Sequence, residues 1–302
     1  MKIQKVYHQR VSTGTHGHMV KTKKQIIEDL KLIDVVIEIV DARIPISSQN
    51  PDIKEIIKNK KRIILLNKFD LADEKQNKLW IQHFKKENIV AILTNSNTGI
   101  GINNVLKEIE NIMKEDLEKH ANKGRTGKII RVLVLGIPNV GKSSFINRIS
   151  NKTSAIVGNK PGVTKQKQWV RATSNIEILD TPGVLWPKFE TAEVALNLAF
   201  TGTIKDDILE RTEIAYNLLK FLLNNYIDNV IEKYKLNREE IQTILNNKNQ
   251  EENENIYEIM KIIGRKRGAI ISGGNVDEEK TANIILDDFR TGKLGHITLE
   301  KC

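Results

Sequence analysis

The stretch GIPNVGKS, from Gly136 to Ser143, has the spacing G-x-x-x-x-G-K-S, with an apolar strand-length run before it and a helical pattern after it. That is the composition of a phosphate cradle. Gly136 and Gly141 let backbone N–H groups close around phosphate oxygens, and the helix that follows adds the positive end of its dipole. In this role Asn139, Val140, Gly141 and Ser144 line the cradle, Lys142 bridges the β and γ phosphates, and Ser143 ligates Mg²⁺. The later stretch ILDTPG carries D-x-x-G. Asp180 would hold the Mg²⁺ shell through water, and Gly183, having no side chain, would bring its N–H to the γ-phosphate. Between the two, Thr164 in NKPGVTKQ is placed to close over Mg²⁺ when a γ-phosphate is present and to let go after hydrolysis.

A second chemistry sits earlier in the chain. Asn67, Lys68 and Asp70 in LLNKFD match N-K-x-D. A carboxylate at Asp70 accepts hydrogen bonds from the N1–H and 2-amino groups of guanine together, whereas adenine would leave it unpaired, a difference of a few kcal/mol. The next strand-like run ends in TNSNTG, so Asn95 and Ser96 are candidates for a second base-contacting loop. The parts of a GTP-binding domain are thus all present, but the base reader precedes the phosphate reader. That order is a circular permutation, which a sheet domain with neighbouring termini tolerates.

These residues need a sheet to hold them. LIDVVIEIVDARIP, KRIILLNK, IVAILTN and RVLVLGI are apolar runs of strand length, the pattern of buried parallel strands. Helical spacing appears in Leu79, Trp80 and Phe84, and in a stripe from Ile102 through Val105, Leu106, Ile109, Ile112 and Met113 to Leu117. HANKGRTGK reads as a linker, and QKQWVRAT and IEILDTPG as two further strands. From about Phe189 strand signals give way to helical ones, RTEIAYNLLKFLLNNYIDNVIEKY reading as a long helical stretch and ILNNKNQEENENIYE as a polar loop. The expected organisation is a basic arm at 1–28, a permuted α/β P-loop GTPase domain at 29–188 and an all-helical domain at 189–302.

Composition narrows the partners. The chain has 302 residues, a formal net charge of +10 and one cysteine. A single cysteine excludes an internal disulfide and a cysteine-based zinc site, and fits a reducing cytosol. The apolar runs fall far short of a membrane span. Excess Lys and Arg suit a polyanion such as RNA, although coding bias toward Lys, Asn and Ile would raise the charge as well. Residues 1–27 of the arm contain no acidic residue and lack the apolar core of a secretory signal. In the helical domain, Lys261, Arg265, Lys266 and Arg267 form a basic cluster before a Gly-Gly turn and a helix opened by Asp277 and closed near Gly292.

LIDVVIEIVDARIPISSQNP, GIPNVGKSSFINRI, LDTPGVLWPKF, TGTIKD and RGAIISGG together resemble the circularly permuted ribosome-assembly GTPases, most closely the ribosome biogenesis GTPase A family, also written RbgA or YlqF. The likeness runs from about Gly17 onward. It implies GTP hydrolysis to GDP and phosphate, coupled to late maturation of the large ribosomal subunit precursor. The partners implied are ribosomal RNA and neighbouring ribosomal proteins. A cytoplasmic monomer without stable membrane attachment is expected. Where many GTPases carry a water-orienting glutamine after D-x-x-G, this chain has Val184 followed by Leu185, neither able to hydrogen-bond a water. The family resemblance instead points to the histidine of a G-H-M motif, here His18 in THGHM, with His16 as its rival because Thr15 and His16 replace the family's aromatic and proline residues. In relatives with asparagine at the place of Asn139, that side chain helps to hold K⁺ beside the phosphates; a plain turn role is the alternative. Two other functions remain open: a GTP-gated RNA-binding module whose hydrolysis only times release, and a small-subunit assembly GTPase. The single terminal cysteine speaks against the latter, whose known relative carries a zinc-binding Cys and His cluster.

Overall fold

A computed structural model of the chain describes residues 24–57, 59–124, 127–150, 168–181, 191–204, 210–247 and 251–302. Its described residues fall into two compact units, one comprising 24–181 with Thr298–Cys302, the other Thr191–Ile297.

The first unit is built on a six-stranded sheet in the order β3-β2-β1-β4-β6-β5. The strands are β1 Val35–Asp41, β2 Lys61–Asn67, β3 Val90–Thr94, β4 Ile130–Gly136, β5 Gln168–Arg171 and β6 Ile176–Asp180. All pairings are parallel except the β5–β6 edge. Continuous apolar runs become strands buried on both faces because helices cover the sheet. On one side Ile26, Leu30, Ile33, Val36, Ile57, Leu133, Leu135 and Leu179 pack together. A second cluster joins Val40, Ile64 and Leu66 to Trp80 and Phe84 of α2. The covering helices are α1 Pro51–Ile57, α2 Glu74–Lys86, α3 Ile102–Asn122 and α4 Lys142–Ile149. Glu38, in the middle of β1, interrupts an otherwise apolar core and is paired with Arg62 of β2.

Register decides where the chemistry collects. Asp41 lies opposite Asn67, Asn67 opposite Thr94, Ile39 opposite Gly136, and Val134 opposite Asp180. Each motif therefore emerges at the carboxyl end of a parallel strand, the edge at which open α/β sheets bind ligands. Cutting and rejoining the chain reverses the order of the motifs without disturbing this register.

The second unit contains α5 Ala192–Phe200, α6 Arg211–Asn225, α7 Ile227–Tyr234, α8 Arg238–Leu245, α9 Glu252–Lys266 and α10 Glu278–Arg290. α6 buries Ile214, Ala215, Leu218, Leu219, Leu222 and Leu223, and it packs against α10 and α9. Asp277 caps α10 by accepting from Lys280 N at 2.9 Å.

Some elements differ from the sequence reading. The long helical stretch breaks at Tyr226, whose backbone leaves the helical region at φ −142°, ψ 41°. The polar EENENIYE is not loop but the opening of α9, because Asn255 and Ile256 are buried beneath its charged face. α3 runs on to Asn122, which shortens the linker. Thr298–Cys302 belongs to the sheet unit rather than to the helical domain, through hydrogen bonds to Arg43, Asp73 and Trp80. Among the described residues, no helix is long and apolar enough to cross a membrane.

Candidate functional site

Asn67 joins the two halves of the site. Its backbone ends β2, and its side chain, 2% exposed, donates from Nδ2 to the Val140 carbonyl at 2.7 Å. Its Oδ1 accepts from Ser96 N at 3.0 Å and Ser96 Oγ at 2.9 Å. One buried amide thus ties the base strand, the second base loop and the phosphate loop together. Lys68 follows in a left-handed conformation, φ 59°, ψ 31°, which turns its ammonium back over the phosphate loop to donate to Asn139 O at 2.9 Å. Asp70 lies next in a 3₁₀ turn, Phe69–Leu71, with its carboxylate exposed. Asp73 then caps α2 by accepting from Gln76 N at 2.9 Å, so the tetrad sits between a strand end and a capped helix.

The second base loop is closed on itself. Asn95 Oδ1 accepts from Asn97 N at 2.9 Å and Thr98 N at 3.0 Å, and the Asn97 carbonyl accepts from Arg148 of α4. In the phosphate loop Asn139 has φ 61° and Gly141 φ 101°. Gly141 is required twice over: L side chains are strained at that φ, and a Cβ there would collide with Asn67 Nδ2. Ser143 and Ser144 open α4, half-buried.

Lys142 is 6% exposed and forms an ion pair with Asp180, itself fully buried. Burial lowers the Lys142 pKa, and Asp180 works against that fall. The pairing engages Asp180 Oδ1, while Oδ2 is buried with no hydrogen-bond partner among the described residues. An orphaned carboxylate oxygen on the residue that pairs with Lys142 of the phosphate loop suits Mg²⁺, which takes oxygen donors and keeps several waters. The donor set fits the ion.

The structure therefore brings together Asn67, Lys68, Asn95, Ser96, Asn139, Val140, Gly141, Lys142 and Asp180. His18, its rival His16, Thr164, Gly183, Val184 and Leu185 lie outside the described residues.

Sequence reading missed Asp41 and Arg43. Asp41 Oδ2 accepts from Lys68 Nζ at 3.1 Å, and Arg43 grips the same carboxylate with Nε at 2.9 Å and Nη2 at 2.8 Å. Burial would raise the Asp41 pKa; the guanidinium of Arg43, the ammonium of Lys68 and the hydrogen bonds from Arg43 outweigh it and hold the carboxyl well below the usual range. The signal was present in the register, since Asp41 ends the strand next to the one that ends in Asn67.

A family model described as 50S ribosome-binding GTPase matches residues 131–261. It begins at the phosphate-loop strand and leaves out Asn67–Asp70, as expected when a model in the ordinary order meets a permuted chain. Ribosome biogenesis GTPase A from Bacillus licheniformis is 46% identical over 94% of this chain and 96% of its own length. Mitochondrial ribosome-associated GTPase 1 from Mus musculus is 31% identical over 94% and 89%. Among solved structures, a GDP-bound YlqF shares 26% identity at a TM-score of 0.64, covering 92% of this chain and 98% of that one. Similarity at this level along nearly the whole chain, with the base and phosphate motifs meeting at one sheet edge in permuted order, has a direct consequence: the chain belongs to the ribosome biogenesis GTPase A family, and it is a GTP-hydrolysing ribosome assembly factor.

Proposed function

We propose that the protein acts on the precursor of the large ribosomal subunit, using GTP bound at the composite edge of its sheet, and that hydrolysis accompanies late maturation of that particle. The observation that carries the nucleotide part is Asn67: one side chain bonds both the second base loop and the phosphate loop, so base and phosphates are read by one rigid body. In this reading Asp70 takes the guanine edge, Lys68 packs along base and ribose, and Asn95 and Ser96 close the base pocket. Backbone N–H groups of Asn139 to Ser144 hold the phosphates. Lys142 would hold the β and γ phosphates in place of Asp180, and the Asp180 carboxylate would hold the Mg²⁺ shell through water. Ser143 and Thr164 would ligate Mg²⁺, which when bound neutralises charge developing on the phosphate oxygens. Gly183 N–H meets the γ-phosphate, and His18 positions the attacking water, a role that Val184 cannot fill.

The large subunit is favoured by the similarity to the 50S ribosome-binding GTPases and by a local basic cluster in the helical unit. Arg265, Lys266 and Arg267 are exposed in succession at the end of α9, the arrangement that meets backbone phosphates of folded RNA. Co-sedimentation with purified large and small subunits or their precursors, in GTP analogue and in GDP, tests the reading. Retention by large-subunit particles in the triphosphate state is expected, and retention by small-subunit particles alone would overturn it.

A further inference from the structure

The segment Thr298–Cys302 has no part in the nucleotide site as described above, yet it is bonded both to the stretch that follows the base tetrad and to the loop after β1. Thr298 is fully buried and Leu299 nearly so. On the tetrad side, Asp73 N donates to Thr298 Oγ1 at 3.0 Å, Trp80 Nε1 donates to the Glu300 carbonyl at 3.0 Å, and Cys302 N donates to Gln76 Oε1 at 3.0 Å. On the side of the loop after β1, Leu299 N donates to the Arg43 carbonyl at 2.9 Å. The Glu300 carboxylate accepts from Ile46 N at 2.6 Å, from Ser47 N at 2.8 Å and from the Ser47 hydroxyl.

That loop carries the counter-ion of Lys68. Asp41 holds the Lys68 ammonium, Arg43 holds Asp41 through side chain and backbone, with Arg43 N donating to Asp41 Oδ1 at 3.1 Å, and Ser48 Oγ accepts from Asp41 N at 3.0 Å. Ala42 N meanwhile donates to the Asn67 carbonyl at 2.9 Å. The chain of contacts runs from Glu300 and Leu299, through residues 43–48, to Asp41 and then to Lys68.

We propose that Thr298–Glu300 is a positioning strap for the base site, fixing the Asp41–Arg43 brace that aims Lys68 and thereby setting how long a guanine nucleotide stays bound. The inference rests on the reading of Asn67–Asp70 as the guanine site. Glu300 is the sharpest point at which to perturb it: its carboxylate only accepts, whereas an amide in its place turns a donor toward Ile46 N, Ser47 N or the Ser47 hydroxyl. Coupling of this kind between a brace and a ligand site is worth about fivefold or more.

The test uses the full chain and five variants: E300Q, K68A, the double variant E300Q/K68A, a chain ending at Ile297, and D70A. Release of a fluorescent GDP analogue and GTP affinity are measured beside turnover at saturating GTP. E300Q should release GDP about fivefold faster, with saturated turnover unchanged, and should have no further effect in the K68A background. An E300Q effect of equal size in both backgrounds would overturn the strap, as would wild-type release from E300Q. If the shortened chain does not fold, E300Q and the cycle with K68A still decide the matter. D70A separates the two readings: full guanine-nucleotide binding by D70A would remove the tetrad assignment itself, whereas an insensitive E300Q alongside a crippled D70A would remove only the strap.

Discussion

Asn67→Ala is the perturbation whose size the structure fixes best. The side chain is buried with its donor on Val140 O and its acceptor on Ser96 N and Oγ. Truncation to a methyl strands the Val140 carbonyl and the Ser96 N–H, in a region where Val140 is 1% and Ser96 4% exposed. The Ser96 hydroxyl and the Thr94 hydroxyl, which donates to Asn67 Oδ1 at 3.3 Å, can rotate to other acceptors, so two groups are left unpaired. At about 1–3 kcal/mol for each, less some relaxation, the loss is about 2–4 kcal/mol. These bonds exist before nucleotide arrives, so the cost appears first in stability, as a fall in melting temperature of about 4–16 °C for a domain of this size. The phosphate loop also loses its tether to the base loops, so GTP and GDP should both bind at least about tenfold more weakly. Saturated turnover should hold, because the bonds of Asn67 go to Val140 and Ser96 rather than to reacting atoms, and so contribute equally to ground and transition states. Thermal unfolding by circular dichroism and calorimetric titration with both nucleotides read the two effects. Wild-type melting and affinity would refute the claim that Asn67 joins the two halves, and a loss confined to saturated turnover would place it in the chemistry instead.

Other outcomes follow from the same site. His18→Ala should abolish particle-stimulated turnover while leaving GTP affinity nearly unchanged, as measured by single-turnover hydrolysis; unchanged turnover removes His18 from the mechanism. Hydrolysis compared in K⁺ and Na⁺ at equal ionic strength should be faster in K⁺ if Asn139 helps to hold a cation, and equal rates leave Asn139 as the left-handed turn residue that its φ of 61° already makes it. Because the folded-state pKa of Asp41 is depressed, its contribution to stability is present above the unfolded value of about 3.9 and is lost as pH falls below it. Asp41→Asn should therefore lower stability at neutral pH and flatten the acid side of the stability profile, most of all below about pH 4, as seen in urea unfolding; an unchanged acid limb would contradict the ion-pair assignment.

What could be read from the sequence was what depends on period and local spacing. VVIEIVD, KRIILLN and RVLVLGI become strands because every residue type in them suits burial, and G-x-x-x-x-G-K-S with a strand before and a helix after has one structural meaning. Asn67 and Lys142 could be named for the same reason. What escaped depends on contacts between distant stretches. Asp41 and Arg43 look like the polar end of a strand until β1 is paired beside β2, and Thr298–Cys302 looks like the tail of a helical domain until Glu300 is seen on Ser47. EENENIYE was misread because its charges mask the buried Asn255 and Ile256, which only the packing of α9 reveals. The break at Tyr226 has no glycine or proline to announce it.

The most direct measurement is GTP turnover by the purified protein in K⁺ buffer, alone and with large or small ribosomal subunits or their precursors. On the proposed reading, large-subunit particles and not small-subunit ones should raise the rate well above the basal value, because neither Val184 nor Leu185 can hydrogen-bond a water and catalysis then needs another group or a partner. Stimulation by small-subunit particles, or a basal rate that no ribosomal particle raises, would contradict this.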